Sequence, residues 1–219
     1  MPLKNLTEPV PRFSCTDGHT AVLVLDVHRF TASPEHGWAR MARDRGIIRE
    51  LAEYYEQLEQ VLPNIVRLVD GCRQAGLPAI FTRLVAATPD DVSAQARITG
   101  FWTTAGSPEA EFLAAPAPAP GETVVDKTTT SAFAATRLPD MLRARAVHHL
   151  IVCGVLAHGA VEHTARDAAD RGFGVTIVAD ACAADTWTSY GFLMTTLVGG
   201  LIRTRTTSAV LEMVRGARA

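Results

Sequence analysis

Two ionisable residues and one strand-to-helix turn fall where a reaction could be run. Asp26 closes the apolar run Ala21–Leu25, and Lys127 closes Glu122–Lys127, ETVVDK. The third feature is Val147–Asp167, VHHLIVCGVLAHGAVEHTARD. Its first half is an apolar run of strand length that stops at Gly154, as a buried parallel strand does. From Ala160 the period changes, with Val161, Thr164, Ala165 and Ala168 at helical spacing, so LAHGA is a turn into a helix. The first N–H groups of a helix lack partners in their own turn and stabilise an anion held over them. In an open parallel sheet, the carboxyl ends of the strands are where ligands bind. From pattern alone, Asp26 serves equally well as an acid/base group or as a cap on the next turn. A lysine at a strand end is ordinarily a solvated charge.

Taken together, these stretches resemble a known family. Gly154-Val155-Leu156-Ala157-His158-Gly159-Ala160-Val161-Glu162, followed by Thr164 and Arg166-Asp167-Ala168, is similar to the signature of the isochorismatase-like hydrolase superfamily. In its amidohydrolase branch, which includes nicotinamidases, N-carbamoylsarcosine amidase and ureidoacrylate-type amidohydrolases, the motif reads roughly G-V-x-T-x-x-C-V-E-x-T-x-R-D-A. Ala160 stands at the place of that nucleophilic cysteine, and a methyl group cannot attack a carbonyl. Asp26-Val27-His28-Arg29-Phe30 resembles the first-strand D-x-Q motif of the acid/base aspartate, with His28 in place of the common glutamine. Lys127, Ser131, Ala132 and Phe133 match K-x-x-x-S-A-F, which supplies the family's catalytic lysine.

The resemblance implies Asp26, Lys127 and the Ala160 position as the catalytic set. Substrate contacts are expected from Phe30, Trp102, Leu156, Ala157 and His158. It also implies a cis peptide between Val155 and Leu156, and a homodimer or homotetramer. Three functions follow. One is a scaffold for cleaving the C–N bond of a small amide, ureide or carbamoyl compound, with its nucleophile replaced. A second is an isochorismatase-type vinyl ether hydrolase, since Ala157-His158 matches that branch's motif and such chemistry needs an acid and a water but no nucleophile. The third is a binding protein that keeps the fold without the chemistry.

The elements that must position these groups alternate strand and helix. Apolar runs at 21–25, 78–85, 122–127, 147–155, 174–179 and 201–206 predict six strands. Helices are expected at 47–75, interrupted near Pro63, and at 138–144, 160–171, 187–199 and 208–215. The fold class is therefore α/β, a three-layer sandwich on a mostly parallel six-stranded sheet. Residues 1–18 read as an extended arm and 19–219 as one domain. Segments 31–49, read as a polar loop in which Trp38 anchors the chain rather than walls a pocket, and 86–120, with its Ala/Pro run, are irregular and would set specificity.

With 219 residues, 47% of them apolar, the chain is long enough for a substantial core. A net charge of −2, with no basic cluster, argues against nucleic acid or an anionic membrane as a partner, and the resemblance implies a small-molecule substrate. Cys15, Cys72, Cys153 and Cys182 have no paired spacing, so reduced thiols in a cytoplasm are expected. The amino end does not read as a signal peptide, and no apolar run is long enough to span a membrane. The histidines do not reproduce a metal cluster: His28 and His36 lack the spacing of the nicotinamidase site, and no cofactor is expected.

Overall fold

The computed structural model describes residues 18–197 and 201–215. Residues 1–17 of the expected amino-terminal arm, with Cys15, lie outside them, as does the end of the helix expected at 187–199.

Every residue of β1 (Thr20–Leu25) is buried, and it forms the middle of the sheet because apolar side chains cover both of its faces. Around it lie β2 (Ala79–Ala86), β3 (Thr103–Thr104), β4 (Thr123–Lys127), β5 (His149–Val155), β6 (Gly174–Ala183) and β7 (Ile202–Arg205). The order is β3-β2-β1-β5-β6-β7, with β4 also paired to β2, and every ladder is parallel. The sheet thus has seven strands rather than the expected six. The extra one, β3, spans two residues, too short for an alternation to show in the sequence.

The flanking helices are α1 (Arg29–Ala32), α2 (Gly37–Asp44), α3 (Ala52–Gln74), α4 (Ala94–Thr99), α5 (Leu138–Ala144), α6 (Glu162–Asp170), α7 (Trp187–Thr196) and α8 (Thr207–Arg215). Among the described residues, no helix is long and apolar enough to cross a membrane. α3 packs on β6, β1 and β2, with α8 beside it. It buries Tyr54, Leu58, Val61, Ile65, Leu68, Val69 and Cys72, and it runs unbroken through Pro63. The expected interruption is absent because Pro63 and Glu59 both face solvent, so water can serve the residue 59 carbonyl that the proline leaves without an N–H.

Segment 31–49 is also more ordered than a polar loop. It holds α2 and a 3₁₀ turn, Ile48–Leu51, because a short helix needs only one buried stripe, here Trp38, Ala39 and Ala42. Gly37 lets α2 dock: a Cβ there would lie 1.9 Å from the Phe30 carbonyl oxygen.

Two local constraints hold the carboxyl edge of the sheet. Gly154 sits in β5 at φ 121, where the β5–β6 register shifts, and an added Cβ would fall 2.2 Å from the Leu25 carbonyl oxygen. Only glycine allows the ends of β1 and β5 to approach so closely. His28, fully buried, ties the chain after β1 to its neighbours. Its Nε2 accepts the Leu84 N–H at 3.2 Å, which leaves Nδ1 to donate to the Glu109 carbonyl at 3.0 Å. That tautomer is neutral, and burial lowers the His28 pKa to about 4.

Gly154→Ala should therefore destabilise the fold by at least ~2 kcal/mol in urea denaturation, combining backbone strain with overlap on β1. The His28 effect has a definite pH window. Its folded-state pKa lies below the unfolded value, so stability is full above about pH 6.5 and falls as the pH drops toward about 4. Compared with His28→Gln, the parent should lose up to about 3 kcal/mol more across that window. Equal losses in paired urea titrations at pH 7.5 and 4.5 would remove His28 as the cause.

Candidate active site

Where β1 ends, the backbone turns sharply and leaves Asp26 at φ 55. A non-glycine residue in that region needs support, and aspartate tolerates it better than most. The support comes from two buried threonines. Thr31 donates its hydroxyl to the Asp26 carbonyl, and Thr82 accepts the Asp26 N–H at 3.0 Å while donating to Oδ1 at 2.5 Å. Oδ2 accepts from Lys127 Nζ at 2.7 Å. The pair is almost wholly removed from solvent, with Asp26 2% and Lys127 3% exposed.

Lys127 lies at the last position of β4, opposite Leu84 of β2. Besides Asp26, its ammonium donates to the carbonyls of Thr129, at 2.9 Å, and Thr130, at 3.3 Å. All three N–H donors therefore have acceptors. Those carbonyls belong to a loop that is itself clamped to α6. Ser131 donates to Asp167 at 2.8 Å and receives the Phe133 N–H, and the Ala132 N–H donates to Thr164 Oγ1 at 3.0 Å. Asp167 also pairs with Arg171. The Ser131-Ala132-Phe133 and Thr164…Asp167 motifs, distant in sequence, are two halves of one joint that fixes the lysine loop against the helix following Ala160.

The third element leaves β5 through a cis peptide between Val155 and Leu156. A π-helical turn, Ala157–Val161, follows and runs directly into α6. Leu156 O accepts from Gly159 N at 3.0 Å and Val161 N at 3.1 Å, which sets the wide turn. Ala160 is 6% exposed and faces the same cavity as Asp26 and Lys127. That cavity holds about 430 Å³. Val155, Leu156, Leu84, Trp38 and Phe101 supply apolar walls, and Gln95, Thr99, His158 and His163 supply polar ones.

Of the expected site residues, Asp26, Lys127, Ala160, Leu156 and His158 share this cavity, whereas Phe30, Trp102 and Ala157 do not line it. Phe30 is buried behind the wall, between His28 and Trp38. Trp102 packs on a separate small cluster of Ala86, Val92 and Ala96, and its neighbour Phe101 joins Trp38 at the cavity instead. Ala157, the first residue of the turn, is fully buried. Thr82 and Thr31 escaped the sequence reading, although a lone threonine in the apolar run AIFTRLVA is a signal for the first. Gln95 and Thr99 gave none, because their helix has only six residues. No described thiol reaches the cavity: Cys72, Cys153 and Cys182 are core residues, and burial raises the Cys153 pKa and pushes Cys182 up to about 12. Among the described residues, no group of three or more His, Cys, Asp or Glu side chains could hold a metal ion.

Comparison with known proteins bears on this geometry. N-carbamoylsarcosine amidase of Arthrobacter sp is 34% identical over 124 residues, which cover 53% of this chain and 47% of that protein. The isochorismatase of Bacillus subtilis (strain 168) is 29% identical over 160 residues, covering 71% of this chain and 50% of that protein. The chain thus spans about half the length of these curated relatives. A cysteine hydrolase structure from Pseudomonas syringae pv. phaseolicola 1448A superposes with a TM-score of 0.77 at 24% identity, covering 96% of this chain and 99% of that one, which shows a shared fold. The isochorismatase domain model matches residues 20–207, a span that contains Asp26, Lys127 and Ala160, and the chain belongs to that family.

Proposed function

We propose that the cavity is the reaction centre of an isochorismatase-family hydrolase directed at the C–N bond of a small amide, ureide or carbamoyl compound, with Ala160 standing at the nucleophile's place. One observation carries the reading: a fully satisfied, buried Asp26–Lys127 pair shares a cavity with the Cβ of Ala160 at the amino end of a continuous helical stretch. Enzymes place paired charges out of water where they must stabilise charge that develops during reaction. In the intact chemistry a thiol at position 160 gives its proton to Asp26 and attacks the carbonyl carbon. The C–N bond then breaks as the nitrogen takes the proton back, and water cleaves the resulting thioester. Lys127 holds the Asp26 carboxylate in place, and the turn's N–H groups and the helix end favour the oxyanion.

A second reading has its own support. With alanine at position 160, the described residues bring no thiol nucleophile to the cavity. Vinyl ether hydrolysis needs only protonation of the enol carbon by Asp26 and attack by water, and the relatives include isochorismatases.

Assays of the parent and of Ala160→Cys on isochorismate and a panel of amides and ureides separate the two. The amide reading expects the variant to hydrolyse at least one C–N substrate a thousandfold or more faster than the parent. It is wrong if the parent turns over isochorismate while the variant gains nothing on amides. In the Ala160→Cys background, Asp26→Asn should lower the gained kcat/KM by at least ~10²-fold, because the amide keeps an acceptor for Lys127 but cannot take the thiol proton. Unchanged kcat/KM would exclude Asp26 as the base.

A further inference from the structure

A second cavity of about 300 Å³ adjoins the first. The two share Trp38, Phe101, Leu156 and His158, so these side chains form a common wall. The second is apolar inside. Met41, Ala42, Leu51 and the ring of Tyr54 line it, and the Tyr54 hydroxyl is turned away to donate to the Thr31 carbonyl at 3.0 Å. Arg45, Ile47 and Glu50 lie at the exposed rim.

The common wall carries polar atoms that the protein leaves incomplete. Trp38 is 9% exposed, and its buried indole N–H has no acceptor. His158 Nδ1 is buried without a hydrogen bond, with the Asp185 carboxylate no closer than 3.7 Å. Buried polar groups are almost always paired in native structures, so an indole N–H without an acceptor, beside a His158 Nδ1 whose one partner is an ion-pair contact at 3.7 Å, gives a ligand's polar linkage a place in the shared wall. A small amide needs only the first cavity. Both cavities together have the size and the apolar character of a site for a larger molecule.

Resting on the amide reading above, we infer that the substrate carries an apolar tail: its carbonyl lies at Asp26, Lys127 and position 160, and an alkyl or aryl group crosses the Trp38–Leu156 wall into the second cavity. Specificity then depends on α2 and the 3₁₀ turn after it, which supply Met41, Ala42 and Leu51.

Titration calorimetry of the full chain with primary n-alkanamides, from butanamide to octanamide, tests this. Each methylene entering the apolar cavity should tighten Kd by roughly fourfold until the space is filled. Ala42→Phe, which fills the cavity, should abolish that gain and leave butanamide binding unchanged. Leu51→Ala, which strips away part of the apolar wall without crowding the fold, should weaken hexanamide severalfold and spare butanamide, so it decides the matter if Ala42→Phe does not fold. A Kd independent of chain length, as when a second copy of the chain covers this cavity, overturns the inference. So does a gain that survives both substitutions. The two levels fail separately. Hexanamide binding that persists while Ala160→Cys cleaves no amide removes the reaction but keeps the subsite, whereas equal cleavage of butanamide and hexanamide with flat binding does the reverse.

Discussion

The structure depends on holding a carboxylate and an ammonium 2.7 Å apart with almost no solvent around either. Removing two charges from water costs several kcal/mol for each ion, and their attraction repays this only when every remaining donor and acceptor is satisfied. Here they are. Thr82 serves one Asp26 oxygen and Lys127 the other, and the Thr129 and Thr130 carbonyls take the remaining ammonium protons. Each of these partners needs its own positioning. Thr82 is fixed by β2, and the carbonyls by a loop that Ser131 and Ala132 fasten to α6. The glycine at 154 lets β1 and β5 close up behind the pair. Much of the carboxyl edge of the sheet thus serves one ion pair, and a buried pair of this kind adds little net stability by itself.

The strands of that edge are legible in the sequence because their signals are local, but the roles of Asp26 and Lys127 come from the family resemblance, since pattern alone reads them as readily as a turn cap and a solvated charge. Strand-length apolar runs ending in Asp26 and Lys127, and a change of period after Gly154, are patterns within ten or twenty residues. The clamp was only half visible: Ser131, Thr164 and Asp167 could be quoted as motif residues, but no spacing reveals that they bond to each other across some 30 residues of chain. The cavity walls were the hardest part. Trp102 was the more obvious aromatic and Phe101 the one that faces the cavity, a choice made by the direction the chain takes after Gly100, at φ 72, and not by hydrophobicity. Short elements failed for a similar reason, since neither the two residues of β3 nor the single buried stripe of α2 carries a period long enough to read.

On the proposed reading, alanine at position 160 takes the place of a nucleophile and leaves the rest of the scaffold as it is. Its methyl group occupies the wall of a cavity whose floor holds a charge pair and whose adjoining turn opens a helix. The core thiols cannot stand in for a missing one, since they are buried and burial raises the pKa of Cys153 and Cys182. The amide and vinyl ether readings therefore divide over one atom, while the binding of a carbonyl or enol group beside Asp26 is common to both.

The central claim is that position 160 is a place prepared for negative charge. It is tested most directly by the pH dependence of iodoacetamide alkylation at position 160 in Ala160→Cys with Cys15→Ser, where the remaining thiols, Cys72, Cys153 and Cys182, are buried. Lys127 and the helix end should outweigh the Asp26 carboxylate in the same cavity and lower that thiol's pKa by at least about one unit from the ordinary ~8.5, giving rapid alkylation at neutral pH. A thiol that titrates at or above ~8.5, as one lodged in a plain apolar wall does, would contradict the account.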